Sequence, residues 1–256
     1  IIVHDQYRDY YKDADSYDPE QAVHTECGTI PEVAFWYGGA QAFLCAAFAP
    51  ATVRRNHIAL EQAGIHLDGA YLDVFAVVEL DECFHPEHRI SRRECMELRC
   101  QSFNVLGSQG KIVSSEEPVE FGVPYLDLVH HGPYALTPDY ENCPARGIPV
   151  PLFNLVYHEC LILPWTLTCG GWGIPQGESG LLHAYLNGGT GYLSIDADET
   201  EIQRLQQLCA FQERVAKQEL VRHEFIEGNL RRQRSIFANG ACVEVDFETG
   251  SINILG

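Results

Sequence analysis

Basic residues are scarce: 17 Lys and Arg stand against 36 Asp and Glu among 256 residues, a formal charge of −19. A surface of that sign repels phosphate backbones and anionic lipid headgroups, so neither nucleic acid nor a membrane is expected as a partner. Long apolar runs are missing as well. No stretch reaches the roughly 18 apolar residues needed to cross a bilayer, and no signal peptide stands at the start. Internal repeats and low-complexity linkers are absent, and no Gly-rich phosphate turn follows the first apolar run, Ile1 to Val3. An open sheet built for a dinucleotide would carry such a turn. The ten cysteines include no C-x-x-C pair. Several sit in apolar runs, as in Phe43-Leu44-Cys45-Ala46 and Cys160-Leu161, which reads as buried free thiols in a reducing compartment and hence a cytoplasmic location.

What is present is a chain that can bury a full core, with 46% hydrophobic and 11% aromatic residues. Four short apolar runs each end in polar, mostly acidic residues. They are Ile1 to Val3 before His4-Asp5, Ala70 to Leu72 before Asp73, Lys111 to Val113 before Ser114-Ser115-Glu116-Glu117, and Val150 to Tyr157 before His158-Glu159. Helices are predicted between them. Ala51 to Ala63 closes at Gly64, and Ser91 to Leu106 opens with Ser91 as N-cap and Glu94 three residues on, a capping-box pattern. Alternating strand and helix predicts a parallel sheet, and strands that are apolar on both faces are those of a barrel. The expected fold class is therefore α/β, a partial (β/α)8 barrel over residues 1–230. A chain that starts in mid-strand implies that earlier barrel strands precede it.

The remaining segments fit this plan. Tyr10 to Pro50 and His130 to Pro149 read as long loops at the strand ends, rich in aromatic residues, Gly and Pro. The acidic excess from Asp5 to Glu20 reads as a solvated loop. A helix over Leu181 to Leu186 leads to a short strand, Tyr192 to Ile195, and a longer helix is predicted from Asp198 to about Glu227. Beyond residue 231, Val243, Val245 and Phe247 alternate with acids, turn at Thr249-Gly250 and return through Ile252 to Leu255. That is a β-hairpin opening a C-terminal all-β domain.

The chemistry lies in the carboxylates at the strand ends. Asp73 sits in an apolar run, where an ionised side chain is costly unless it faces a polar cavity. Glu116 and Glu117 close another strand, and only one of them can point inward, because strand neighbours face opposite sides. Two carboxylates on adjacent strands are what glycoside hydrolysis requires, one to attack the anomeric carbon and one to protonate the leaving oxygen. Adjacent strands lie about 5 Å apart, which matches the roughly 5 to 5.5 Å carboxyl separation of a retaining enzyme. Asp5, Tyr7, Tyr71, His158, Glu159 and Trp36 are the expected substrate contacts, and Trp36, Tyr37, Tyr125, Trp165 and Trp172 are candidates to stack on sugar faces. A second reading takes His4-Asp5, His158-Glu159 and His85-Pro86-Glu87-His88 as ligands of a catalytic metal. No H-x-H or H-E-x-x-H spacing supports it.

The runs YLDVF (Tyr71 to Phe75), SSEEPVEFGVPYLD (Ser114 to Asp127), VPLFNLVYHE (Val150 to Glu159) and HDQY (His4 to Tyr7) resemble glycoside hydrolase family 129, the α-N-acetylgalactosaminidase family, and related bacterial glycosidase-like proteins. The resemblance implies a retaining mechanism on a (β/α)8 barrel, with Asp73 matching the nucleophile and Glu116 the acid/base, or Glu117 if the register slips by one. It also implies an α-linked N-acetylgalactosaminide or related hexoside as substrate. No cofactor is needed for that chemistry, but bound calcium goes with the family, with ligands that the sequence does not place. Family members carry an N-terminal β-domain before the barrel, so this chain is expected to be a truncated portion, and a non-catalytic glycan-binding remnant of a glycosidase is the alternative reading.

Overall fold

Three of the four apolar runs become strands of one parallel sheet. The computed structural model describes residues 1–131, 150–166 and 177–256 and divides into two units, Ile1–Asp127 and Leu128–Gly256. The first unit runs through β1 (Ile2–Gln6), β2 (Asp9–Tyr11), β3 (Ala34–Trp36), β4 (Gly39–Phe43), α1 (Ala49–Gln62), β5 (Gly69–Asp73), α2 (Arg92–Gly107) and β6 (Ile112–Ser115). β1 pairs parallel with β5, from Ile2 opposite Gly69 to Gln6 opposite Asp73, and β5 pairs parallel with β6, Tyr71 lying opposite Ser114.

The connecting helices form where the sequence predicts them. α2 starts at a capping box in which the Ser91 N–H donates to the Glu94 carboxylate at 2.8 Å and the Glu94 N–H donates to the Ser91 Oγ at 3.3 Å. Its buried residues Cys95, Arg99, Ser102, Phe103 and Leu106 recur at helical spacing and form one inward face. α1 carries Pro50 in its first turn and buries Val53 and His57, one turn apart.

The segment expected as a loop from Tyr10 to Pro50 instead holds an antiparallel sheet of order β2-β4-β3. Its strands are three to five residues long. That is too short for alternation to show in sequence, and the β3–β4 turn rests on Gly39 at φ +113°.

The second unit comprises β7 (Leu128–Val129), α3 (Asn154–Tyr157), β8 (Pro164–Thr166), α4 (Gly177–Asn187), β9 (Thr190–Tyr192), α5 (Glu199–Val215), β10 (Leu220–Phe225), β11 (Arg232–Phe237), β12 (Cys242–Asp246) and β13 (Ser251–Leu255). Two expectations are corrected here. Val150 to Tyr157 is not a strand: its second half, Asn154–Tyr157, forms α3, and His158–Cys160 continues as a 3-10 turn. Pro151 supplies no backbone donor for a ladder, and the buried Asn154 amide donates instead to Asn187, at 2.8 Å to its side-chain oxygen.

The helix capped by Asp198 ends at Val215, not near Glu227, and the chain continues into β10. Leu220 opens β10 buried in the same core as Leu208, Phe211 and Val215, paired with Phe237 of β11, so pairing and burial override helical propensity there. The four-stranded antiparallel sheet β10-β11-β12-β13 thus begins at Leu220, and Phe237, Val243 and Val245 pack on Leu182, Tyr185 and Leu186 of α4. β12 and β13 form the expected hairpin, turning at Gly250 with φ +73°.

The burial expected of the thiols is met by some of them. Cys45, Cys83, Cys95 and Cys100 are buried, whereas Cys160 is exposed because it lies in a surface turn. No helix among the described residues is long and apolar enough to cross a membrane.

Candidate active site

Parallel pairing brings the C-terminal ends of β1, β5 and β6 to one edge of the sheet. Alternation along each strand then decides which side chains meet. His4, Tyr71 and Ser114 stand level on one face, and continuing the β5–β6 register by two residues sets Asp73 beside Glu116. The Tyr71 hydroxyl donates to Asp73 Oδ1 at 2.7 Å, and His4 Nε2 lies 3.6 Å from Asp73 Oδ2. The His4 and Tyr71 rings meet edge-on with centroids 4.8 Å apart. Asp73 therefore has a fixed carboxylate with one oxygen held by a phenol and the other facing an imidazole.

Glu116 is the carboxyl group under the most electrostatic pressure. Its Oε2 is buried with no hydrogen-bond partner. Burial, then the charges of Asp73 and Glu117, push its pKa up to about 7, although the Val74 N–H hydrogen bond pulls the other way. Glu117 is raised by burial alone. Both lie just past the end of β6, and of the two it is Glu116 that the charge of Asp73 acts on. Asp9, which also feels Asp73, is raised chiefly by burial.

The backbone leaves β5 in an unusual way. Val74, directly after Asp73, has φ 55°, a left-handed conformation that a β-branched residue adopts at a cost of order 1–3 kcal/mol. Two buried guanidinium groups hold the turn in place. Arg99 donates to the carbonyls of Phe75, Val78 and Glu79 at 3.2, 3.0 and 2.8 Å and to Asp81 Oδ2 at 3.0 Å. Arg8 reaches the same Asp81 through two bonds of 2.9 and 3.0 Å and lies 3.6 Å over the Phe43 ring. Ser115 joins the neighbouring strand, its Oγ donating to the Leu72 carbonyl at 2.6 Å and accepting from the Ala76 N–H at 3.2 Å.

Of the other expected substrate contacts, Asp5 and Tyr7 belong to the first unit and His158 and Glu159 to the second. Asp5 and Tyr7 project from the face of β1 opposite His4. The Tyr7 hydroxyl donates to Asp5, and Asp5 Oδ2 lies 3.3 Å from Nε2 of the buried His57 on α1. Both take part in strand–helix packing against α1. Because His4 and Asp5 point to opposite faces, they do not chelate one ion together. His158 is buried, with Nδ1 2.7 Å from the Gln218 carbonyl and its ring against Phe237, and Glu159 sits in the same 3-10 turn; neither ends a strand.

Trp36 ends β3 at 59% exposure, edge-on to Tyr37 at 5.3 Å, with its indole open to a ligand. Tyr125 is exposed as well. Trp172 and nearly all of the segment 130–149 lie outside the described residues, and so does the Trp165 side chain.

Sequence reasoning missed His4 as a partner of Asp73, because alternation sets His4 and Asp5 on opposite faces without saying which of them turns toward β5. It also missed the Arg8–Asp81–Arg99 network, for which local sequence carries no sign. Among the described residues, the set of His, Cys, Asp and Glu side chains at metal-binding distance is Cys45, Cys83 and His88. Two thiols and an imidazole do not suit calcium, which takes oxygen ligands, and no step is derived through that ion.

The fold of this chain is shared with solved structures. It is similar to TtGalA, an α-galactosidase from Thermus thermophilus, with a TM-score of 0.53 at 14% identity over 98% of this chain and 53% of that one, a likeness of fold alone. A nearer likeness is to the α-N-acetylgalactosaminidase NagBb from Bifidobacterium bifidum. The ligand-free NagBb structure gives a TM-score of 0.91 at 45% identity over 99% of this chain, and the NagBb–GalNAc complex gives 0.90 at 44%. The chain spans 41% of the length of ligand-free NagBb. No family model and no curated protein matches.

Proposed function

We propose that this chain forms part of a retaining α-glycosidase of the family 129 type, built on a (β/α)8 barrel and acting on an N-acetylgalactosaminide or a related hexoside. Asp73 attacks the anomeric carbon while Glu116 gives its proton to the glycosidic oxygen, so the aglycone leaves as an alcohol and a glycosyl ester forms on Asp73. Glu116, now ionised, takes a proton from water. The hydroxide so generated attacks the same carbon and releases the sugar with its configuration retained, restoring both carboxyl groups. Tyr71 and His4 orient Asp73, and Trp36 offers a face for the sugar ring.

The observation that carries this reading is the pair of carboxyl groups at neighbouring strand ends, where burial and the charge of Asp73 push the Glu116 pKa up to about 7. The similarity to NagBb supports the sugar class.

The test is hydrolysis of a panel of aryl α- and β-glycosides by the purified protein at its natural full length, with product configuration followed by NMR. An α-N-acetylgalactosaminide should be cleaved with retention, and Asp73→Asn should lower kcat by at least about 10³-fold. Near-normal turnover in that variant would overturn the assignment.

A further inference from the structure

Away from the carboxylate pair, three sequence-distant residues converge in one buried cluster. Cys45 lies in the turn leading into α1, and Cys83 and Ile90 exchange two backbone hydrogen bonds of 3.0 Å, closing a hairpin whose turn carries His85 and His88. Both thiols are fully buried beside Val23, Ile90 and Cys95. The two sulfurs and a ring nitrogen of His88 all lie within 4.8 Å of one another, with Cys83 Sγ 3.5 Å from His88 Nδ1. Ligand bonds of about 2.3 Å to sulfur and about 2.0 Å to nitrogen place tetrahedral ligand atoms roughly 3.6 Å apart. The observed sulfur–nitrogen distance fits.

The surroundings are also those of a metal-binding imidazole. His88 Nε2 lies 2.9 Å from the Glu20 carbonyl, which can only accept; the proton is thereby fixed on Nε2 and the Nδ1 lone pair turned toward the sulfurs. The ring is held flat against His85 at 4.1 Å and edge-on by Phe48 at 4.9 Å. The His24 N–H points at Cys83 Sγ at 3.4 Å, a donor that suits a thiolate better than a thiol. Hydrophobic packing alone explains buried cysteines, but it does not require a neutral imidazole oriented by a carbonyl and aimed at them.

We infer that Cys45, Cys83 and His88 bind a structural zinc ion that fastens the β5–α2 connection to the entry of α1. On binding, the two S–H bonds break as two Zn–S bonds form, both protons pass to solvent, and His88 contributes a lone pair without losing a proton. The site stands apart from the glycosidase reading, since none of its residues belongs to the carboxylate pair.

The test is metal analysis of reduced, purified protein, with cobalt exchanged into the wild type. About one zinc per chain is expected, absent from Cys83→Ser and His88→Ala and unchanged in the exposed Cys27→Ser. Cobalt should give a thiolate-to-metal charge-transfer band in the near ultraviolet, a readout on the wild type that does not depend on any variant folding. Wild-type protein with free thiols that takes up neither metal would overturn the inference, and so would a Cys45–Cys83 disulfide in freshly isolated protein, or full zinc in Cys83→Ser.

Discussion

Glu116 shows how one carboxyl group couples activity to stability. With Oε2 buried and unpartnered and Asp73 beside it, its proton is held until about pH 7. The folded state therefore binds more protons than the unfolded chain from about pH 4.5 up to that value, and stability falls as pH rises through this window. Above it, the ionised group is a standing cost. Glu116→Gln should abolish turnover yet raise stability at pH 8 by about 1–2 kcal/mol after solvent screening, a gain of a few degrees in Tm. At pH 4, where both states are protonated, the gain should vanish; thermal melts at the two pH values check this. In the active protein the same group should set the alkaline limb of kcat/KM near pH 7.

At the scale of elements, the site depends on how closely β5 approaches β6 and on what holds the turn after Asp73. A Cβ on Gly69 would collide with the backbone carbonyl of Ile112 on β6, which cannot move aside as a flexible side chain would. Gly69→Ala should cost about 2–4 kcal/mol in denaturant unfolding and lower kcat, because the collision is transmitted along β5 to Asp73. Arg99 is 1% exposed, and its guanidinium satisfies three carbonyls and a carboxylate. Arg99→Met should cost about 3–5 kcal/mol, since those acceptors stay buried without a donor. It should also release the strain stored at Val74, lowering kcat more than it raises KM.

At the scale of the whole molecule, a formal charge of −19 works against folding through self-repulsion, which salt screens. Tm should rise by a few degrees between low and about 0.5 M NaCl, measured at fixed pH; a fall would mean that specific ion pairs outweigh the net charge. Local sequence alone determined the features that local physics governs: β1, β5 and β6 from their apolar runs, α2 from the Ser91–Glu94 box, the β12–β13 hairpin from alternation, and the acids standing at strand ends. It missed where distant segments compete, as at Leu220, where pairing with Phe237 and a place in the core end a predicted helix. Alternation likewise says that His4 and Asp5 face apart, but not which of them turns toward Asp73. Only the packing of α1, with His57 against Asp5, decided that, and only tertiary closure brought Cys45, Cys83 and His88 together, because such contacts arise from chain folding over separations at which local preference carries no information.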